Sequence, residues 1–261
     1  MPENPTFAPE QAAGRKTYPT TTMEIQPIAF FRSPFREKFG IPRQSGLAAA
    51  LRGRIVLESA FRDPSALRGL EDFDYLWLIW EFSGNRRPQG PASGTGRNPD
   101  ASSPEPFRPT VRPPRLGGNE RIGVFASRSP FRPNPIGLSC VRLDHVEWDS
   151  AEGPVIHVLG ADLMDGTPIY DIKPYVRYAD SRPDARSGFV DETAWQTLEV
   201  VFPPDTPFQG EELESLRAAL AQDPRPQYQD DPEKVYGMAF AGRNVHFRVD
   251  GNVLTVIDFL S

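Results

Sequence analysis

The residues best suited to chemistry in this sequence are arginines set on proline-stiffened segments. Arg32-Ser33-Pro34-Phe35-Arg36 recurs as Arg128-Ser129-Pro130-Phe131-Arg132. Each copy follows an apolar run and precedes a Pro/Gly turn. A guanidinium is a rigid fork of donors that matches carboxylate and phosphate. The echo therefore reads either as a paired arginine site or as a shared strand-exit turn, with Pro setting the bend and Phe packing beneath it. The second copy runs into residues 130–137 (PFRPNPIG), with proline at every second or third position. Such a stretch cannot ladder through its N–H groups. It predicts a rigid, extended loop, either a structural crossover or a mount for functional groups that loses little entropy on binding.

Two further segments pair arginine with proline. Arg112-Pro113-Pro114-Arg115-Leu116-Gly117-Gly118-Asn119 reads as a phosphate-contacting loop or as a solvated basic one. Asp223-Pro224-Arg225-Pro226-Gln227-Tyr228 holds an arginine between prolines with an aromatic nearby. That suits a base or an anion, or simply a helix stop. Among carboxylates, Asp162-Leu163-Met164-Asp165-Gly166-Thr167-Pro168 could grip a ribose or an amino-acid head group, or be an Asp-Gly turn. His145, His157 and His246 lie in separate strand patterns without ligand spacing, so no metal site is expected. Cys140 is the single cysteine, which excludes a disulfide framework or a multi-cysteine metal site. No GxGxxG follows a strand and no Walker loop occurs, so a Rossmann or P-loop nucleotide site is unsupported.

The elements that must position these residues are mostly short strands. Residues 1–22 are polar, lack a signal-peptide pattern, and read as a disordered leader. Residues 24–31, 54–60, 75–82, 122–126, 136–148 and 154–160 are apolar or alternating runs bounded by Gly, Pro or Asp. This predicts a β-barrel or sandwich over 23–182. Residues 86–115 hold 8 Pro in 30 and predict a long surface loop. Beyond residue 182 the pattern changes to strand, helix, strand, strand. The helix spans 209–222 with Leu213, Leu216 and Leu220 on one face, and Asp250-Gly251 forms a hairpin turn. Residues 183–261 are thus a small α+β unit. No apolar run of about 18 residues exists, so no membrane helix is expected, and a cytoplasmic address follows as the default.

Charge divides along the same line. The chain of 261 residues carries a net −6, which alone argues against a nucleic-acid partner. Yet residues 183–261 hold 6 basic and 14 acidic residues, net −8, while residues 24–182 are net +2. Within 86–132, nine Arg face three acids, net +6. An arginine-rich rim on the strand-rich unit keeps RNA open as a partner.

Taken together, residues 30–46 (FFRSPFREKFGIPRQSG), 108–137, 162–175 (DLMDGTPIYDIKPY) and 221–228 (AQDPRPQY) resemble, in order, the TsaA-like family, the TrmO tRNA methyltransferases. The resemblance implies a β-barrel-like methyltransferase domain outside the Rossmann class, with a small C-terminal α+β domain. It implies S-adenosylmethionine as cofactor and transfer of methyl to N6 of N6-threonylcarbamoyladenosine at tRNA position 37. It implies a homodimer. Carried over by motif, cofactor contacts fall on Pro42, Arg43, Gln44, Arg128, Leu138, Leu163, Met164, Asp165 and Gly166. The place where the family usually carries a His and a polar residue reads Phe82-Ser83-Gly84, so Ser83 and Gly84 are expected to contact cofactor through their backbone. Residues 86–104 read as an insertion relative to the family. Arg112, Arg115, Arg132, Arg225 and Tyr228 are the expected substrate and tRNA contacts, and Asp165 and Tyr175 are the candidate proton acceptors. Two alternatives stay open: a non-catalytic RNA- or cofactor-binding regulator on this scaffold, or a methyltransferase for another substrate.

Overall fold

Seven residues explain how the main sheet begins. In β3 (Tyr75–Glu81, YLWLIWE), Leu76, Leu78 and Trp80 are buried, while Tyr75, Trp77 and Ile79 alternate with them on the other face. That two-residue period is what a half-buried strand requires. The computed structural model describes residues 23–85, 108–113, 116, 120–192, 196–225 and 231–260. The expected leader 1–22, the 86–104 insertion, Arg115 and Tyr228 lie outside these residues.

Six strands close on one another in the order β1 (Ala29–Arg32), β2 (Arg52–Leu57), β7 (Val155–Leu159), β6 (Ile136–Glu147), β3 and β8 (Pro168–Pro174), which pairs back to β1. Every pairing is antiparallel. Closure removes free edges, the general hazard of an open sheet. Inside sits one core built on Phe31, Ile55, Leu76, Leu78, Val141, Ile156 and Ile169. β8 has no counterpart among the predicted strands. Its sequence, PIYDIKP, is polar and flanked by prolines, which are tolerated because they sit at the strand's ends. Only the neighbours β1 and β3 make it a strand.

A two-stranded ribbon, β4 (Thr110–Val111) with β5 (Ile122–Gly123), lies before the second arginine motif. The predicted strand 122–126 is therefore mostly a 3-10 turn at Val124–Ala126. After the short α1 (Arg177–Asp180) comes the C-terminal unit, a four-stranded sheet ordered β10-β11-β12-β9. Its strands are β9 (Glu199–Val201), β10 (Tyr236–Phe240), β11 (Arg243–Asp250) and β12 (Val253–Leu260). α2 (Gly210–Leu220) packs Leu216 and Leu220 against it. Gly251 takes φ +54° in the hairpin turn between β11 and β12, a conformation glycine adopts without steric cost.

The second core is not confined to the C-terminal segment. Phe35, Ala48 and Leu51, from the connection between β1 and β2, pack with Phe208, Phe240 and Leu220. Arg52 joins the units on the surface, bonding Asp144 of β6 at 2.8 Å and Glu211 of α2 at 2.5 Å. The connection 33–51 is therefore held from both sides, which matters because it carries one wall of the site.

Candidate functional site

The two RSPFR copies adopt the same local turn. In each, the Phe amide donates to the hydroxyl of the Ser two residues before it, at 3.2 Å, for Phe35 to Ser33 and for Phe131 to Ser129. Short hydroxyls capture nearby amides in this way wherever a chain leaves a strand. The surroundings then differ. The first turn is stitched to the 162–167 segment: Ser33 N–H donates to Asp165 Oδ1 (3.1 Å), Asp165 N–H to Phe35 O (2.8 Å), and Gly166 N–H to Phe31 O (2.8 Å). The second turn leads along the proline-rich loop into β6.

Between them lies a cavity of about 820 Å³ at one end of the barrel. That is within the roughly 300–1,000 Å³ of small-molecule sites. The register places it: Trp80 pairs with Gly137 and Glu81 with Ile136, so the end of β3 and the start of β6 form one wall. Pro42, Arg43 and Gln44 form another, and Arg128 reaches across to donate from Nη1 to Gln44 Oε1 at 2.8 Å. Arg128 thus ties the second RSPFR copy to the 42–44 wall of the cavity.

Of the expected cofactor contacts, Pro42, Arg43, Gln44, Ser83, Gly84, Arg128, Leu138 and Met164 all line this cavity, and so does the expected substrate contact Arg132. Arg132 is held by the carbonyls of Ser127 (3.2 Å) and Ser129 (3.5 Å). Three expected contacts are not among the residues that line the cavity. Leu163 points into the barrel core and is fully buried there. Asp165 and Gly166 do not line the cavity; their polar groups bind the first RSPFR turn. The Asp-Gly segment thus clasps the first RSPFR turn.

Tyr175 does not line the cavity either. It packs edge-on to Tyr75 (6.1 Å between rings) and against Trp77, and its amide bonds Tyr75 O. Tyr75 and Glu81 are opposite ends of β3. At about 3.3 Å per residue, that separates Tyr175 from the cavity by roughly 20 Å. Arg225 is 9% exposed and forks onto Asp223, with Nε to Oδ1 at 2.9 Å and Nη2 to Oδ2 at 3.0 Å. A guanidinium committed to a carboxylate two residues away is not presented to a phosphate. Arg112 is exposed beyond β4 and outside the cavity.

Two carboxylates stand in the cavity wall: Glu81, not singled out from sequence, and Asp162, named there only as part of the 162–168 segment. Glu81 is only 4% exposed, and its Oε2 accepts from the Tyr170 hydroxyl. Asp162 accepts from Ser139 Oγ at 2.6 Å, and Ser139 in turn accepts from Trp80 Nε1 at 3.0 Å. Burial pushes the Asp162 carboxyl above its ordinary value of 3.8, against the opposing pull of the Ser139 hydroxyl and the Arg128 charge. The sequence signal for Glu81 was an acid closing an otherwise apolar strand. The signal for Asp162 was its place in a motif whose other acid drew attention. The cavity lining thus combines two buried carboxylates with Lys38, Arg43, Arg128 and Arg132. Trp80, Phe82, Ile136, Leu138 and Met164 form apolar walls between them.

The histidines meet more closely than their sequence positions suggest. His145 and His157 stack at 4.2 Å across β6 and β7, with one nitrogen each on Asp144 and Glu147. Among the described residues, no group of three His, Cys, Asp or Glu side chains is placed to hold a metal ion. Nor is any described helix long and apolar enough to cross a membrane.

Residues 30–181 match the tRNA-methyltransferase O N-terminal domain, and residues 196–260 match the TrmO C-terminal domain. The chain belongs to the TrmO family. It is 40% identical over 240 residues to the tRNA (adenine(37)-N6)-methyltransferase of Escherichia coli, covering 88% of this chain and 94% of that protein. A Pseudomonas aeruginosa relative described as a putative S-adenosylmethionine-dependent methyltransferase is 40% identical over 235 residues, 87% of this chain and 92% of that one. The crystal structure of TrmO from Pseudomonas aeruginosa superposes with a TM-score of 0.70 at 33% identity, covering 94% of this chain and all of that one. The TrmO motifs at 42–44, 128–138 and Met164 are the ones that converge on the cavity.

Proposed function

We propose that this TrmO-family chain is an S-adenosylmethionine-dependent tRNA methyltransferase acting on N6 of N6-threonylcarbamoyladenosine at position 37. The observation that carries the proposal is the Arg128–Gln44 bond at a cavity lined both by buried carboxylates and by arginines. That combination suits a cationic cofactor and an anionic substrate. Relatives named as tRNA (adenine(37)-N6)-methyltransferases and as S-adenosylmethionine-dependent methyltransferases support the same reading.

The residues present fit the cofactor. A Cβ at Gly84 would come within 2.8 Å of the Lys38 side chain and 3.2 Å of Met164, so the glycine lets these two lining side chains lie close to the backbone. Ser83 and Gly84 then contact a ligand through backbone, as the Phe82-Ser83-Gly84 sequence implied. Pro42, Arg43, Gln44, Leu138 and Met164 enclose it. When bound, the cofactor supplies an electrophilic methyl group on a positively charged sulfur.

This chain's side chains do the rest. Glu81 and Asp162 offset the ligand's positive charge in a partly desolvated wall, where such interactions are stronger than in water. Arg128 and Arg132 hold the threonyl carboxylate of the substrate, for which a planar fork is suited. Fixing acceptor and donor in line supplies much of the rate of a displacement. The acceptor nitrogen carries a proton. Asp162, raised by burial and lying in the cavity wall, is better placed to take it than Asp165 or Tyr175.

Labelled methyl transfer to tRNA with and without the threonylcarbamoyl group tests the proposal. Transfer only to modified tRNA, lost in Arg128→Ala, is expected. Cofactor binding without any transfer would instead identify a regulator, and transfer to another acceptor would identify a different substrate. A cytoplasmic homodimer completes the reading. Ile136 and Leu138 are exposed at the cavity wall, where a second copy of the chain could cover them. Sedimentation of a monomer at assay concentration would remove the dimer.

A further inference from the structure

Two copies of one turn put the same residue to opposite use. Phe35 is fully buried, its ring edge-on to Phe240 at 5.4 Å in the second core. Phe131 sits in an identical Ser-capped turn and is 68% exposed. Nothing in the fold needs a phenyl ring there. Its neighbours in sequence, Pro130 and Arg132, line the cavity, whereas Phe131 does not. Its ring therefore stands on the rim, one residue from the site, on a segment stiffened by Pro130, Pro133 and Pro135.

The surroundings select the partner. Arg132 is tied back to Ser127 and Ser129, and Arg128 to Gln44, so two hydrogen-bonded arginines lie one and three residues from Phe131 along the chain. Asn134 and Pro133 beyond it are exposed. Phe131 thus offers an exposed aromatic plane beside arginines, with a second exposed ring, Phe125, in the cavity lining. An unstacked nucleobase needs one π-face and a nearby positive charge for its phosphate.

We propose that Phe131 is a stacking platform for a nucleotide adjoining the adenosine that enters the cavity. This inference rests on the tRNA reading above and deepens it. A base drawn out of an anticodon loop leaves its neighbour unstacked, and the Phe131 ring replaces the lost stack while Arg128 and Arg132 hold the intervening phosphate or the substrate carboxylate. Because every base has a π-face, the contact is tolerant of sequence.

The test compares Phe131→Ala, Phe131→Leu and Phe131→Trp in the full chain. The probes are a modified anticodon stem-loop and the same RNA with 2-aminopurine beside the target adenosine. Stacking of a base on an aromatic ring is large enough that Phe131→Ala is expected to raise the KM for the stem-loop about tenfold. Phe131→Leu should resemble it, and Phe131→Trp should match the wild type. Cofactor affinity by calorimetry should be unchanged throughout. The 2-aminopurine emission should be quenched on binding to wild type and to Phe131→Trp but not to Phe131→Ala. If the wild type methylates the stem-loop and Phe131→Ala does so with the same KM, the inference fails while the functional reading stands. If the wild type methylates no tRNA, that reading fails, and undiminished quenching by Phe131→Ala would sink the platform as well. A change of oligomeric state in Phe131→Ala, seen by sedimentation, would overturn the inference in favour of a contact between copies.

Discussion

Replacing Phe35 by Ala removes a ring that is fully buried between the two units. The ring packs edge-on against Phe240, which itself meets Phe208 at 5.6 Å, so neighbouring aromatics cannot close the gap without breaking their own contacts. Truncating such a Phe costs about 3–5 kcal/mol, combining lost transfer energy and a residual cavity. Against a typical total stability of about 5–15 kcal/mol, that is a large share. For a chain of this size it lowers the thermal midpoint by roughly 10 °C. The matching change at Phe131 removes an exposed ring and should stay within about 0.5 kcal/mol of wild type. Equilibrium urea denaturation, followed by tryptophan fluorescence, measures both. The reasoning is refuted if the two variants lose comparable stability, because identical turns would then carry identical packing roles. It is also refuted if Phe35→Ala is nearly neutral, since the second core would not then depend on the β1–β2 connection.

Two further outcomes follow from the cavity wall. Gly137→Ala would place a Cβ 2.3 Å from the Trp80 ring, so the indole must move or the strands must part. Overpacking of this kind costs about 1–3 kcal/mol. Because Trp80 also bonds Ser139, which holds Asp162, calorimetry should show weaker cofactor binding alongside the lower thermal midpoint. Asp162→Asn tests the buried carboxylate. Its carboxyl titrates above 3.8 in the folded chain, so between that value and the raised one the folded state holds more protons than the unfolded state. Wild-type stability relative to Asp162→Asn should therefore fall as pH rises from about 4 through that window, then level off. Denaturation series across pH would contradict this if the difference were flat or rose.

Much of the local structure was legible because it depends on local forces. The alternation in β3, the apolar face of α2 and the Asp250-Gly251 turn each reflect a period or a backbone preference carried by a few adjacent residues. β8 was not legible, since PIYDIKP has no strong period and becomes a strand only between β1 and β3. The motif residues Pro42 to Gln44, Arg128, Leu138 and Met164 were nameable from sequence, and they share one cavity. Leu163, Asp165, Tyr175 and Arg225 were nameable too, yet each is committed elsewhere. A motif fixes which residues lie near one another along the chain, and does not say which side chain of a run faces a cavity.

The sequence by itself determined the strand-rich class, the change of character after residue 182 and the arginine motifs beside prolines. All of these follow from composition and short-range pattern. Only the tertiary structure decided how the two RSPFR turns differ. The Ser-to-Phe hydrogen bond is the same in both and the five residues are identical, so the motif alone could not tell Phe35 from Phe131. The difference lies in what arrives from far along the chain: Phe240 covers one ring, and the cavity mouth lies beside the other. Burial is a property of distant neighbours, and so the same five residues serve as a core anchor in one place and as an open rim in the other.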